Sequence, residues 1–332
     1  MSMWKNDEWL SQRTEEIIDP GREIVDPHHH LWHQEATFYD LEELWGDTGS
    51  GHNITQTVFV ECGSSYRDTG PDHLKPVGET EYVADRAKRS ANTDGQATIS
   101  AIVARADLDH DDLDDILDAH EEAGGNLFKG IRHAGAHAHH PEVLSIPGGA
   151  PADLYERPAF RRGVDRLGER GLTFDTWHYH YQNKAFLDLA KAVPDTTMIL
   201  DHFGTPLGVG PYEEKREEIF AAWKEDVAAI AACPNVVAKI GGLAMPDNGF
   251  GWNTRATPPS SDEFVEAQSR YYLHMIACFG PERCMFESNF PVDRLSISYQ
   301  VLWNGLKKIA SGFSDADQNQ MFSGTAKQVY RL

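Results

Sequence analysis

Basic residues are scarce in this 332-residue chain: Lys and Arg total 30 against 52 Asp and Glu, which leaves a net charge of −22 at pH 7. A field of that sign repels nucleic acid and anionic membranes, so neither is an expected partner. Solubility explains the surplus, and runs such as Asp111-Asp112-Leu113-Asp114-Asp115 would also suit a salt-adapted source. Long apolar runs are missing too: none reaches the roughly 18 residues that a membrane-spanning helix needs. The polar opening, MSMWKNDEWLSQRTEE, does not read as a signal peptide. Cysteine is sparse: Cys62, Cys233, Cys278 and Cys284 show neither CxxC spacing nor a disulfide framework. They read as core thiols of a reducing compartment, and a cytoplasmic location is expected. No GxGxxG follows the first apolar run, which speaks against a dinucleotide fold.

What is present is an alternation. Short runs rich in β-branched or aromatic residues predict strands over Ile24–His30, Thr57–Glu61, Thr98–Ala104, Leu127–Arg132, Leu172–His178, Thr197–His202, Val236–Ile240 and Cys284–Ser288. Amphipathic stretches lie between them, such as DDLDDILDAHEEAGG, with Leu113, Ile116, Leu117 and His120 on one face and a Gly pair as the stop. Ser261 is a candidate N-cap for the stretch SSDEFVEAQSRYYLHMIACFGP. Strand then helix, repeated about eight times, predicts a parallel sheet closed into a distorted (β/α)₈ barrel. Residues 1–23 form an N-terminal extension and 24–332 the single barrel domain. The longest loops follow strands, so they belong on the C-terminal face, where barrel enzymes build their sites.

Titratable residues stand at the end of nearly every predicted strand. The first ends in His28-His29-His30, and alternation places His28 and His30 on one side and His29 on the other. Asp26 precedes them as an orienting partner. The second ends at Glu61, and the fourth carries Lys129, Arg132 and His133. The fifth offers His178 and His180, the sixth Asp201 and His202, the seventh Lys239, and the eighth Glu287, Asn289 and Asp293. A packed core would not put them there. Trp32 and Trp177 read as packing residues or ring platforms, and the His-rich loop HAGAHAHHPEV as a solvated loop or lid.

The stretches IVDPHHHLW, KGIR, GLTFDTWHYH, ILDHFGTP, MFESNFPVD and MFSGTAKQVYRL, taken in that order, resemble the amidohydrolase superfamily. The match is to its amidohydrolase-related second branch of lactonase-like barrels, which holds lactonases of sugar acids and of pyrone and muconate rings, plus some decarboxylases. The resemblance implies a barrel that hydrolyses a small carboxylated or cyclic substrate. It assigns catalytic positions to His28, His30, His180 and His202, and to Arg132 a clamp on a substrate carboxylate. The family's usual strand-eight aspartate is Asn289 here, which cannot act as a general base and is a poorer ligand for a cation. Glu287, two residues earlier, is the leading replacement base, with a histidine as the alternative.

The expected function is hydrolysis of a lactone or other cyclic ester, with His28, His30, His180, His202, Glu287 and Asn289 as catalytic residues. Arg132, Lys129, Glu61, His178 and Trp32 are the expected substrate contacts. The cofactor is none or one divalent ion, Zn²⁺ first, held by His28, His30 and His202. The alternatives are a non-oxidative decarboxylase of an aromatic acid and a non-catalytic barrel that binds a small acid. A homodimer is expected only as the common default of barrels.

Overall fold

A computed structural model describes residues 2–332. Eight strands run parallel in the order of the chain: β1 (Glu23–His29), β2 (Asn53–Val60), β3 (Thr98–Ala104), β4 (Phe128–Arg132), β5 (Thr173–Thr176), β6 (Met198–Leu200), β7 (Val236–Ile240) and β8 (Cys284–Phe286). One parallel bridge, His29 to Phe290, brings β8 back to β1, so the sheet is a nearly closed barrel. After a short N-terminal helix, α1 (Asp7–Leu10), the connecting helices are α2 (Leu41–Thr48), α3 (Val77–Ala91), α4 (Leu113–Gly124), α5 (Pro158–Glu169), α6 (Asn183–Ala192), α7 (Arg216–Ala231) and α8 (Ser261–Phe279). The last strand leads into α9 (Tyr299–Ala310), which is followed by the short α10 (Asp315–Asn319). The expected (β/α)₈ architecture is therefore the observed one. The cap of α8 is Ser260 rather than Ser261: its hydroxyl accepts from the Glu263 N–H at 3.2 Å while the Glu263 carboxylate accepts from the Ser260 N–H at 2.8 Å.

Side-chain alternation divides the core in two. The outward faces of the strands pack against the helices in one large apolar layer, with Phe59, Phe174 and Phe286 fully buried. The inward faces meet along the barrel axis through Val25, Val58, Val60, Val103, Ile199 and Met285. The barrel's lower end is plugged from outside by α11 (Thr325–Tyr330), whose Ala326 and Tyr330 join the inner cluster. The N-terminal segment is docked: Trp4 is buried and stacks on Trp32 at 5.3 Å, and Glu15 accepts from the Ser261 N–H at 2.8 Å.

His120 on α4 shows what burial does to an imidazole here. Its Nε2 faces the Arg105 carbonyl at 3.0 Å, so Nε2 carries the proton and Nδ1 accepts from the Thr80 hydroxyl at 2.8 Å. Burial pushes its pKa down to about 4. The unfolded chain takes up this proton near pH 6.5, the folded chain only near 4, so acid favours unfolding between those limits. Relative to His120→Gln, the native chain should lose about 3 kcal/mol of stability across that window. Urea unfolding of both proteins at several pH values checks this: a pH-independent difference would mean that His120 titrates normally.

Candidate active site

Inward alternation carries polar groups to the upper end of the same axis. On β7, Val237 and Lys239 share the inner face; past β6 and β8, Ile199 is followed by Asp201 and Met285 by Glu287. On β1 a register shift between Asp26 and His29 breaks strict alternation and turns His28 inward. Asp26 ties this bulge to the β8 tip, accepting from the Ser288 N–H at 3.0 Å, the Ser288 hydroxyl at 2.5 Å and the Tyr299 hydroxyl at 2.9 Å.

The result is a buried trio. Glu287 lies between two imidazoles, with Oε1 2.7 Å from His202 Nδ1 and Oε2 2.9 Å from His28 Nδ1. Their ligand atoms all lie within 4.8 Å of one another. Gly241 and Gly242 make room for it. A Cβ on Gly241 would sit 2.3 Å from the Glu287 carbonyl, and one on Gly242 would sit 2.3 Å from His202 Nδ1, at a φ of +77°. Gly242→Ala should therefore displace the His202 ring and cut turnover about 10²-fold. Steady-state kinetics tests this, and an unchanged rate would show that the ring's position is immaterial.

Beneath the trio runs a column of charge. Lys239 Nζ donates to Asp175 at 2.7 Å and lies 3.6 Å from Asp201, and the Tyr330 hydroxyl donates to Asp175 at 2.7 Å from the plugged end. Burial works against the Lys239 charge, but Asp175 and Asp201 outweigh it and raise the pKa. Burial pushes the Asp201 carboxyl up to about 7 and the Glu287 carboxyl up to about 8, and pushes His202 down to about 3. Both Asp201 oxygens and Glu287 Oε2 are buried without a well-directed hydrogen-bond donor. Orphaned carboxylate oxygens beside two imidazoles are what a bound cation would satisfy, and two His plus one carboxylate is a donor set of catalytic zinc sites. The residues present thus fit a divalent metal.

Above the trio opens a cavity of about 280 Å³. His30, Glu61, Arg132, His202 and Asn289 form its polar part, while Trp32, Trp177, Ile146, Met245 and Val292 form apolar walls. His30 Nδ1 donates to the Val60 carbonyl at 2.8 Å, which leaves its Nε2 as an acceptor. Arg132 is already engaged: Nε donates to Glu61 Oε1 at 2.8 Å and NH2 donates to the Glu61 carbonyl. Its NH1 is 3.4 Å from His28 Nε2 and 3.9 Å from Asp201. Asn289 sits at φ +56° and its side-chain amide donates to Asp293 Oδ1 at 2.9 Å. Asp293 also accepts from the Ala244 N–H at 3.0 Å, so it serves as a brace.

Several expected positions move. His30 does not join the metal-type set; Glu287 takes its place beside His28 and His202, because the His30 ring turns to Val60. His180 is not brought to the cluster. The chain leaves the ladder at Thr176, and His180 starts a 3₁₀ turn whose ring packs by Tyr181 and Tyr212. His178 is buried behind the cavity, with Nε2 3.0 Å from the Asn183 side-chain oxygen. Lys129 lines clefts with Arg331 at the opposite end of the barrel. It is three residues from Arg132, so the two point to opposite faces. The Arg132 edge expected to clamp a substrate carboxylate is occupied by Glu61. Asp175 and Tyr330 were not anticipated, although an aspartate inside the apolar run of β5 was a visible signal.

The Amidohydrolase family profile matches residues 25–332. The chain belongs to the amidohydrolase family. It is 31% identical to the uncharacterised protein y4mH of Sinorhizobium fredii, over 93% of this chain and 98% of that one. It is 26% identical to an L-fucono-1,5-lactonase of Burkholderia multivorans, over 93% and 96%. Among solved structures, an amidohydrolase of Burkholderia multivorans with bound zinc superposes with a TM-score of 0.72 at 21% identity, covering 93% of this chain and 99% of that one. In this amidohydrolase no helix is long and apolar enough to cross a membrane, among the described residues.

Proposed function

We propose that this amidohydrolase opens a lactone or related cyclic ester by water attack on the ring carbonyl. The observation that carries the reading is His202 at the cavity floor, with its Nδ1 side held by Glu287. The lactonase relatives from Burkholderia, aligned over nearly the whole chain, support it.

In molecules whose Glu287 is ionised, a share that grows as the pH rises towards 8, only the Nδ1–H of His202 can face the carboxylate, so Nε2 is left as a proton acceptor towards the cavity. Water gives a proton to that Nε2 as its oxygen bonds to the carbonyl carbon. Arg132 NH1, the guanidinium nitrogen that Glu61 leaves free, supplies positive charge to the carbonyl oxygen as it becomes an oxyanion. The acyl C–O bond then breaks, and the ring oxygen takes the proton from His202. The product is an open hydroxy acid, which releases one proton to solvent at neutral pH. The Asn289 side-chain oxygen, oriented by the hydrogen bond that its Nδ2 donates to Asp293, is left to accept from water or a substrate hydroxyl. His28, His202 and Glu287 would hold a divalent ion, Zn²⁺ first, which when bound polarises a carbonyl and acidifies a water.

A pH-indicator screen of lactones with purified protein, with elemental analysis of the same sample, tests the reading. Acid release from a lactone is the expected result. Proton consumption with CO₂ evolution from an aromatic acid would instead make it a decarboxylase, and a thermal shift without turnover a binding barrel.

A further inference from the structure

The cavity's charge balance and walls bear on what enters it. Among the described residues lining it, Arg132 is the only Lys or Arg. Its charge is matched inside the cavity by Glu61, which takes both the Nε and NH2 edges of the guanidinium. The remaining NH1 faces Asp201 at 3.9 Å, another buried acid. A substrate carboxylate would meet a guanidinium whose charge Glu61 already matches, with NH1 alone left to contact it, and would be placed beside the Glu61 carboxylate. The field of a chain carrying −22 would also oppose its approach.

The rest of the lining, Trp32 and Trp177 with Ile146, Met245 and Val292, offers little to hydrogen-bond a ring covered in hydroxyls. Desolvating such hydroxyls against indole and aliphatic carbon is unfavourable unless each finds a partner. Trp4 stacks on Trp32 at 5.3 Å and braces that part of the wall. At about 280 Å³ the cavity is at the small end of ligand pockets, room for one ring and one substituent.

We propose that the site takes a neutral lactone bearing an aromatic or branched alkyl group, and selects against lactones with a free carboxylate or a hydroxyl-covered ring. This rests on the hydrolytic reading above for turnover, but not for binding. The apolar group lies on Trp177 and Trp32 while the ring carbonyl points to Arg132 and His202.

The test pairs binding with turnover. Non-hydrolysable six-membered lactams carrying a phenyl, a carboxylate or several hydroxyls are titrated by calorimetry, and the matching lactones are followed by acid release. The phenyl lactam should bind about 10- to 100-fold more tightly than either polar one. Trp177→Ala should shrink that ratio. Equal or tighter binding of the carboxylated or hydroxylated lactam, or no binding by any, would overturn the proposal. The expected order of binding with no acid release from any lactone would uphold the selectivity and remove the hydrolytic reading alone.

Discussion

Glu287→Gln should lower kcat for lactone opening by about 10²–10⁴-fold while leaving the protein folded. The substitution keeps the volume and can keep one hydrogen bond to His28 or His202. It removes the charge that stabilises a protonated His202, and it leaves an amide whose N–H₂ group must face one of two imidazole nitrogens now 2.7 and 2.9 Å away. At least one ring must therefore turn or change tautomer. A carboxylate that orients an imidazole acts mainly once charge develops, so kcat should fall far more than KM rises. The same change removes one donor from the candidate metal set, so zinc retained after dialysis should fall as well. Steady-state kinetics and elemental analysis on one preparation read both effects, and an unaltered kcat would exclude Glu287 from the chemistry.

Lys239→Met should have the largest effect on stability, about 3–5 kcal/mol. Methionine fits the volume of the lysine stem, so the loss is electrostatic. The ammonium is fully buried, bonded to Asp175 at 2.7 Å and 3.6 Å from Asp201. Without it, two buried carboxylates are left near each other, with the Tyr330 and Thr173 hydroxyls as the remaining donors to Asp175. Urea unfolding with circular dichroism measures the shift in midpoint. A change below about 1 kcal/mol would mean that the column is already neutral, as for an exposed pair.

These groups explain which parts of the site were legible in the sequence. The barrel was, because strand-helix alternation is a periodic signal summed over the chain. Where strands end was not: β6 stops at Leu200 and β8 at Phe286 because His202 and Asn289 adopt φ values of +52° and +56°. His and Asn are enriched in the left-handed region, but neither residue type alone marks a turn, so runs of apolar residues overstated those strands. β5 shows the same limit, since Trp177 to His180 kept an alternating pattern after the ladder had ended at Thr176. The family resemblance places His180 in the site, and the early end of the ladder is what carries it away. The His28 position came out as expected through a bulge that no pattern displays. Lys239 inside VVAKI and Asp175 inside TFDT, by contrast, were readable as inward polar residues by their alternation with Val237 and Thr173. Their partnership was not, because it spans 64 residues of sequence.

In the proposed mechanism His28, His202 and Glu287 act as one unit, with His202 at the cavity floor. A mutant cycle in lactone kcat/KM measures it: His28→Ala, His202→Ala, Glu287→Gln, their pairs and the triple variant. Groups that share one task lose nearly everything with the first removal, so the triple variant should be no slower than the slowest single one. Losses that multiply across the three positions would contradict a joint site and leave three independent residues in their place.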